Sequence, residues 1–125
     1  MPFATFIAKI QNFDSSAYLL GWGVATFDAQ YSLQSLVRTK TTGGDGNYNL
    51  GRYSNERMDY IVDRVKTETD LPVRNRLLTE GLQLQNDTVA HIPLHNQMLA
   101  WAMKKNVELV QRPDNRIDWR LIKVN

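Results

Sequence analysis

The stretch NERMDYIVDRV, residues 55–65, constrains the fold more than any other. Met58, Ile61, Val62 and Val65 recur at i, i+3, i+4 and i+7, the spacing of one face of an amphipathic helix. The rest of the chain must then supply an apolar surface to cover that face. With 125 residues and 42% apolar side chains it has the material for a buried core, and its length suits one compact unit.

Three further helices are predicted. Residues 2–12 carry Phe3, Phe6, Ile7 and Ile10 at helical spacing, with Pro2 suited to a first turn. Residues 28–37 place Tyr31, Leu33, Leu36 and Val37 near one face behind Asp28 as N-cap. A last helix starts at Asp70 with Pro72 in its first turn, and its stripe runs through Leu78, Leu82 and Val89, supported by Leu77. Gly81 inside that helix costs about 1 kcal/mol relative to alanine, so close packing is expected there.

Strands are predicted between and after these helices. The run AYLLGW, residues 17–22, reads as a buried strand. Residues 91–103 read as a strand with Pro93 near its start or at an edge. Residues 116–124 alternate, with Ile117, Trp119 and Leu121 facing inward. Residues 38–54 hold four of the seven glycines and form a long polar loop. Loops of that length inside a compact unit are commonly functional or mobile.

Chemistry-bearing motifs are sparse. The chain has no cysteine, which excludes disulfides and thiolate sites. His91 and His95 are spaced HxxxH, but Pro93 between them opposes a helix and no third ligand is adjacent. No nucleophile elbow or phosphate loop occurs, and no carboxylate pair stands out, so no catalysis and no cofactor are expected. Fifteen basic residues against thirteen acidic, without a basic run, do not make a nucleic-acid footprint. The last 22 residues lean basic and read as a solvated face. No apolar run is long enough to span a bilayer, and the first residues do not form a secretory signal.

Trp22 stands between Gly21 and Gly23 at the end of an apolar run. Glycine lets another backbone approach closely. A strand edge beside an aromatic ring is one way to capture an extended peptide by strand addition. A free-standing domain of that kind is one functional expectation.

The order of motifs supports another. YLLGW, GNYNLGRYSNERMDYIVDRV, TDLPVRNRLLTEGLQLQND and AHIPLHNQMLAWAMKKNVELV together resemble the C-terminal part of the family 5 solute-binding proteins, the peptide-binding subunits of ABC importers. Gly21-Trp22, Asn49, Tyr53 with Asn55, Asp59, Asp70 with Arg74, Asp87 and Ile92-Pro93-Leu94 carry the resemblance, and they cover nearly the whole chain in the family's order.

That resemblance implies an α/β fold: part of a type II periplasmic-binding-protein lobe, with a mixed sheet and packed helices. It implies that residues 1–91 belong to the second lobe and that residues 92–125 contain strands and a hinge crossing toward the first. Family members are several times longer, so a fragment is expected, with a signal peptide upstream and a periplasmic or lipid-anchored location. The implied partners are a peptide or other small solute and, through the whole protein, the membrane permease. Strands lacking first-lobe partners would expose apolar surface and self-associate.

In the family, the Gly-Trp strand faces the cleft and the backbone after Trp pairs with the ligand. The implied ligand-binding residues are therefore Trp22, Gly23, Val24, Ala25, Thr26 and Asp28, joined by Tyr48 and Asn49 from the long loop. Several relatives place an Asp three residues after the Trp to hold a peptide ammonium group. Ala25 stands there in this chain, leaving Asp28 or an acid from the other lobe for that task. Asp59 and Arg74 are expected as structural ties: Asp59 at a helix edge, Arg74 toward a carboxylate or carbonyl.

Overall fold

The computed structural model describes residues 1–24 and 26–125. Length alone suggests one unit, but the chain divides into two, Met1–Ile92 and Pro93–Asn125. Between the last helix of the first and the first strand of the second, residues 91–104 form neither helix nor strand.

The first unit is built on the stripe that the sequence advertises. Helix α3, Glu56–Thr67, starts at Asn55, whose side chain accepts the Met58 amide at 3.0 Å. Glu56 and Asp59 lie in its first turn and Arg64 and Lys66 in its last, each at the favourable end of the helix dipole. Met58 and Ile61 are 0% exposed, Val62 1% and Val65 2%. Helix α4, Leu71–Asp87, is capped by Asp70, which accepts the Val73 amide at 2.9 Å. Its Leu78 and Leu84 pack on the core, and Gly81 closes it. A Cβ on Gly81 would stand 2.8 Å from Leu33 Cδ1 and 3.3 Å from Ile61 Cγ2, so close packing explains that glycine.

The expected α4 stripe needs correction. Leu82 is 42% exposed and Val89, beyond the helix end with φ 51°, is 63% exposed. Packing selects positions 78, 81 and 84, a face rotated from the one inferred.

Helix α1, Phe3–Gln11, buries Ile10 and leaves Phe3 exposed. Helix α2, Ala29–Ser32, is capped by Asp28 and runs directly into a wide π turn, Leu33–Val37. The Arg38 amide reaches back five residues to the Leu33 carbonyl at 2.9 Å. This wide turn buries Leu33, Ser35 and Val37 together.

The long loop then folds back and caps that turn. The Gly46 amide donates to the Gln34 carbonyl at 2.9 Å and the Tyr48 amide to the Ser35 carbonyl at 3.0 Å, satisfying groups a helix end leaves orphaned. Asn49, 4% exposed, spends its whole amide on the backbone. Its Nδ2 donates to the carbonyls of Arg38 (3.1 Å) and Tyr53 (2.6 Å), and its Oδ1 accepts the Tyr53 amide at 2.9 Å.

The second unit holds one antiparallel pair, β1 (Val107–Glu108) and β2 (Lys123–Val124), with Val107 opposite Val124. A 3₁₀ turn, Trp119–Leu121, precedes β2. Among the described residues the fold is thus helix-rich with one small sheet, a mixed α/β arrangement in the coarse sense.

Two strand expectations fail, and the third, 116–124, holds only at its end, where Lys123–Val124 form β2. Among the described residues, 17–22 pair with no strand, and Leu19 is 66% exposed. Residues 91–103 form no strand; Pro93 offers no amide to a ladder. In 116–124 the Asp118 side chain accepts the Arg120 amide at 3.2 Å and grips its guanidinium at 2.8 Å, a local alternative to ladder bonding. Trp119 is accordingly 74% exposed rather than inward. The mixed sheet expected from the resemblance is therefore replaced by the single β1–β2 pair among the described residues.

Gly46 has φ 65°, and a Cβ there would collide with the Arg38 carbonyl oxygen and lie 2.7 Å from Lys40 Cα. Gly46→Ala is expected to cost at least about 2 kcal/mol, read from urea unfolding, because rigid backbone rather than a yielding side chain occupies the space.

Candidate functional site

Residues 17–24 carry the sequence-level site, and their exposure alternates with period two. Ala17, Leu19, Gly21 and Gly23 are exposed, while Tyr18, Leu20, Trp22 and Val24 are partly buried. That is the pattern of a half-buried strand. Among the described residues, no backbone N–H or C=O of residues 18–23 pairs with another backbone group. The segment is strand-like on its side-chain faces and unpaired along its edges.

Its inward side chains hold it. The Trp22 ring stacks on Tyr31, centroids 5.5 Å apart and planes at 16°, and meets Tyr48 edge-on at 5.3 Å. Trp22 Nε1 donates to Ser32 Oγ at 3.1 Å. Four residues earlier, Tyr18 reaches the backbone of Gly51; burial raises the Tyr18 phenol, and the Gly51 hydrogen bond opposes that rise. A helix face (Tyr31, Ser32) and a loop (Tyr48, Gly51) thus clasp alternate residues of one segment.

The expected site residues separate into three groups. Trp22 and Tyr48 touch each other, and Gly23, Val24 and Thr26 continue the segment, but Ala25 lies outside the described residues. Asn49 is buried and fully used in holding the loop, so it offers nothing to a ligand. Asp28 is also engaged: one oxygen accepts the Gln30 amide at 2.9 Å and the other the Arg74 guanidinium at 2.7 Å. The Gln30 amide first, and Arg74 after it, draw its carboxyl below the usual range against the opposing effect of burial. Its charge is already answered, which leaves little to attract an ammonium group.

Both expected ties exist. Arg74 finds its carboxylate in Asp28, and Asp59 accepts the Thr39 amide at 2.9 Å and pairs with Arg38 at 3.0 Å. Arg38 also meets Asp63 at 3.0 Å, and Lys66 joins Asp63 to the loop's Asp45 at 2.8 Å. These pairs fasten the loop bearing Tyr48 to α3.

No sequence signal marks Tyr31, Ser32 or Tyr18 as site residues. Tyr31 and Ser32 lie on α2, next to the face that Leu33 buries, and their position after a tryptophan at i−9 and i−10 carries no recognisable spacing. His91 is half-buried with Nδ1 unpartnered, and burial lowers its pKa, whereas His95 is exposed. Among the described residues no group of three or more His, Asp or Glu side chains is placed to hold a metal, and no helix is long and apolar enough to cross a membrane. No family model, no curated protein and no solved structure matches the chain.

Two outcomes follow from this geometry. Trp22→Ala removes both aromatic contacts and is expected to cost about 1–3 kcal/mol in urea unfolding, while hydrogen-exchange protection in α3 stays intact. Hydrogen bonds hold three carboxyl groups below their unfolded values: from Gln30 and then Arg74 for Asp28, from Lys66 for Asp45, and from Arg38 for Asp63. The folded chain then binds fewer protons than the unfolded chain. Their stabilisation is complete above the ordinary carboxylate range, about pH 4, and is lost as pH falls through the lowered values. Thermal midpoints should hold steady from neutrality to about pH 5 and drop below about pH 4.

Proposed function

We propose that this chain is part of the solute-binding subunit of an ABC importer, from the second lobe of a type II binding protein, and that residues 17–24 form one wall of a site for an extended peptide. The observation that carries the reading is the unpaired edge of residues 18–23 on a segment clasped from one face. Such an edge offers donors and acceptors in a row, which is how an extended peptide adds as a strand. The ordered motifs of the resemblance supply the transporter class. On this reading there is no catalysis, and the intact protein closes two lobes on its solute and presents it to the permease from the periplasmic or cell-surface side.

A second reading, a free-standing peptide-binding domain, draws on a specific feature. The first unit has its own core in Leu33, Val37, Met58 and Val62, and three of its helices, α2, α3 and α4, each have a side-chain N-cap. Both readings use the same edge, and they differ in how much of the site this chain contains.

Titrating the 125-residue chain with an acetylated, amidated pentapeptide and following backbone amides by NMR tests both. One wall of a cleft gives shifts at residues 17–24 with millimolar affinity, because the opposite wall is missing. Micromolar affinity supports the free-standing domain instead. Unperturbed amides at residues 17–24 in millimolar peptide would remove this segment from any peptide site.

A further inference from the structure

The clasped segment contains two glycines that its own folding does not require. Gly21 and Gly23 are exposed, and a Cβ on either would meet nothing within 4 Å. The glycines with positive φ are Gly44 and Gly46, so no left-handed turn demands glycine at 21 or 23. Glycine in a strand-like segment costs chain entropy and gives up packing, and it commonly marks close approach by a ligand or another backbone.

The two glycines share the outward face with Leu19, which is 66% exposed. Bare backbone therefore follows one large apolar side chain on that face. From Ser15 to Phe27 the sequence carries no charge. The flanking Asp14 and Asp28 are paired, with Lys9 at 2.8 Å and Arg74 at 2.7 Å. The strip is electrically neutral, and a charged occupant would lose water without gaining a partner.

Resting on the strand-addition reading of this same segment, we infer that the occupant is a peptide with large apolar side chains, aromatic above all, at two alternate positions that lie over Gly21 and Gly23. Side chains directly opposite each other in an antiparallel pair are in contact, and where one partner is glycine the other rests on its backbone. Two such residues spaced i and i+2 fill the strip beside Leu19. Main-chain bonds hold any extended peptide, and the bare strip selects among them. A second copy of this chain fits less well, because its own outward set, Ala17, Leu19, Gly21 and Gly23, brings a single large side chain to the pairing.

Three acetylated, amidated peptides test the inference by NMR titration of the whole chain: Thr-Phe-Thr-Phe-Thr, Thr-Ala-Thr-Ala-Thr and Thr-Glu-Thr-Glu-Thr. The phenylalanine peptide is expected to bind about tenfold tighter than the alanine peptide, with shifts centred on residues 19–24, and the glutamate peptide weakest. Adding side chains with Gly21→Thr and Gly23→Thr together is expected to shrink the preference to about twofold, with the amide spectrum of α3 and α4 unchanged. Equal affinity for the phenylalanine and alanine peptides at residues 17–24 would overturn the side-chain inference and leave strand addition standing. Shifts confined to other residues, or none, would overturn both. Concentration-dependent dimerisation through the same amides without peptide would assign the strip to a second copy.

Discussion

The first unit depends on the burial of one face of α3. Met58, Ile61, Val62 and Val65 need a cover, and Leu33 and Val37 provide it from above, with Gly81 admitting α4 beside them. Leu33 and Val37 reach that position through the wide π turn. The turn in turn leaves the Gln34 and Ser35 carbonyls to accept the Gly46 and Tyr48 amides. The loop is therefore shaped by the core beneath it. Its Tyr48 then joins Tyr31 to bracket Trp22 and fix residues 17–24. Each step inherits its geometry from the one before, so a defect under α3 would reach the edge segment through two hydrogen bonds and one aromatic contact.

What the sequence disclosed followed from local chemistry. The i, i+3, i+4, i+7 stripe of α3 reports a helix face directly, and Asp28 and Asp70 each cap the helix they precede. Gly81 announced close packing because glycine in a helix interior is otherwise unfavourable. Arg74, a cation near a helix start, announced a carboxylate partner. The strand expectations fall short for a complementary reason. An apolar run reports a tendency to be covered, but strand pairing depends on a second segment that no local pattern names. Residues 17–22 have the right composition and, among the described residues, no partner strand; residues 116–124 have the right alternation, but Asp118 offers a nearer hydrogen bond and only Lys123–Val124 pair.

The site was half visible for similar reasons. A tryptophan between glycines draws attention whatever surrounds it, and Tyr48 stood out in the long loop. Tyr31 and Ser32 were hidden because helical periodicity assigns them to a side of α2 without saying what that side meets. Asn49 differs from its expected role because a place in the long loop says nothing of which way its side chain is spent. At 4% exposure, with three backbone hydrogen bonds, its amide is instead the loop's internal fastening.

This arrangement changes the role of Trp22 on the proposed reading. Both of its ring contacts and its indole N–H are used within the chain, so it has little left to offer a ligand directly. Its contribution is to hold an unpaired backbone in strand form before anything binds. An edge without lysine, proline or bulge is normally a hazard, and natural proteins blunt such edges unless they are used. Ordering a flexible segment on binding would subtract from affinity, and the clasp through Tyr31, Tyr48 and Ser32 lowers that cost in advance. The backbone of residues 18–23 is then the recognising element, and the aromatic cluster behind it is the device that keeps it straight.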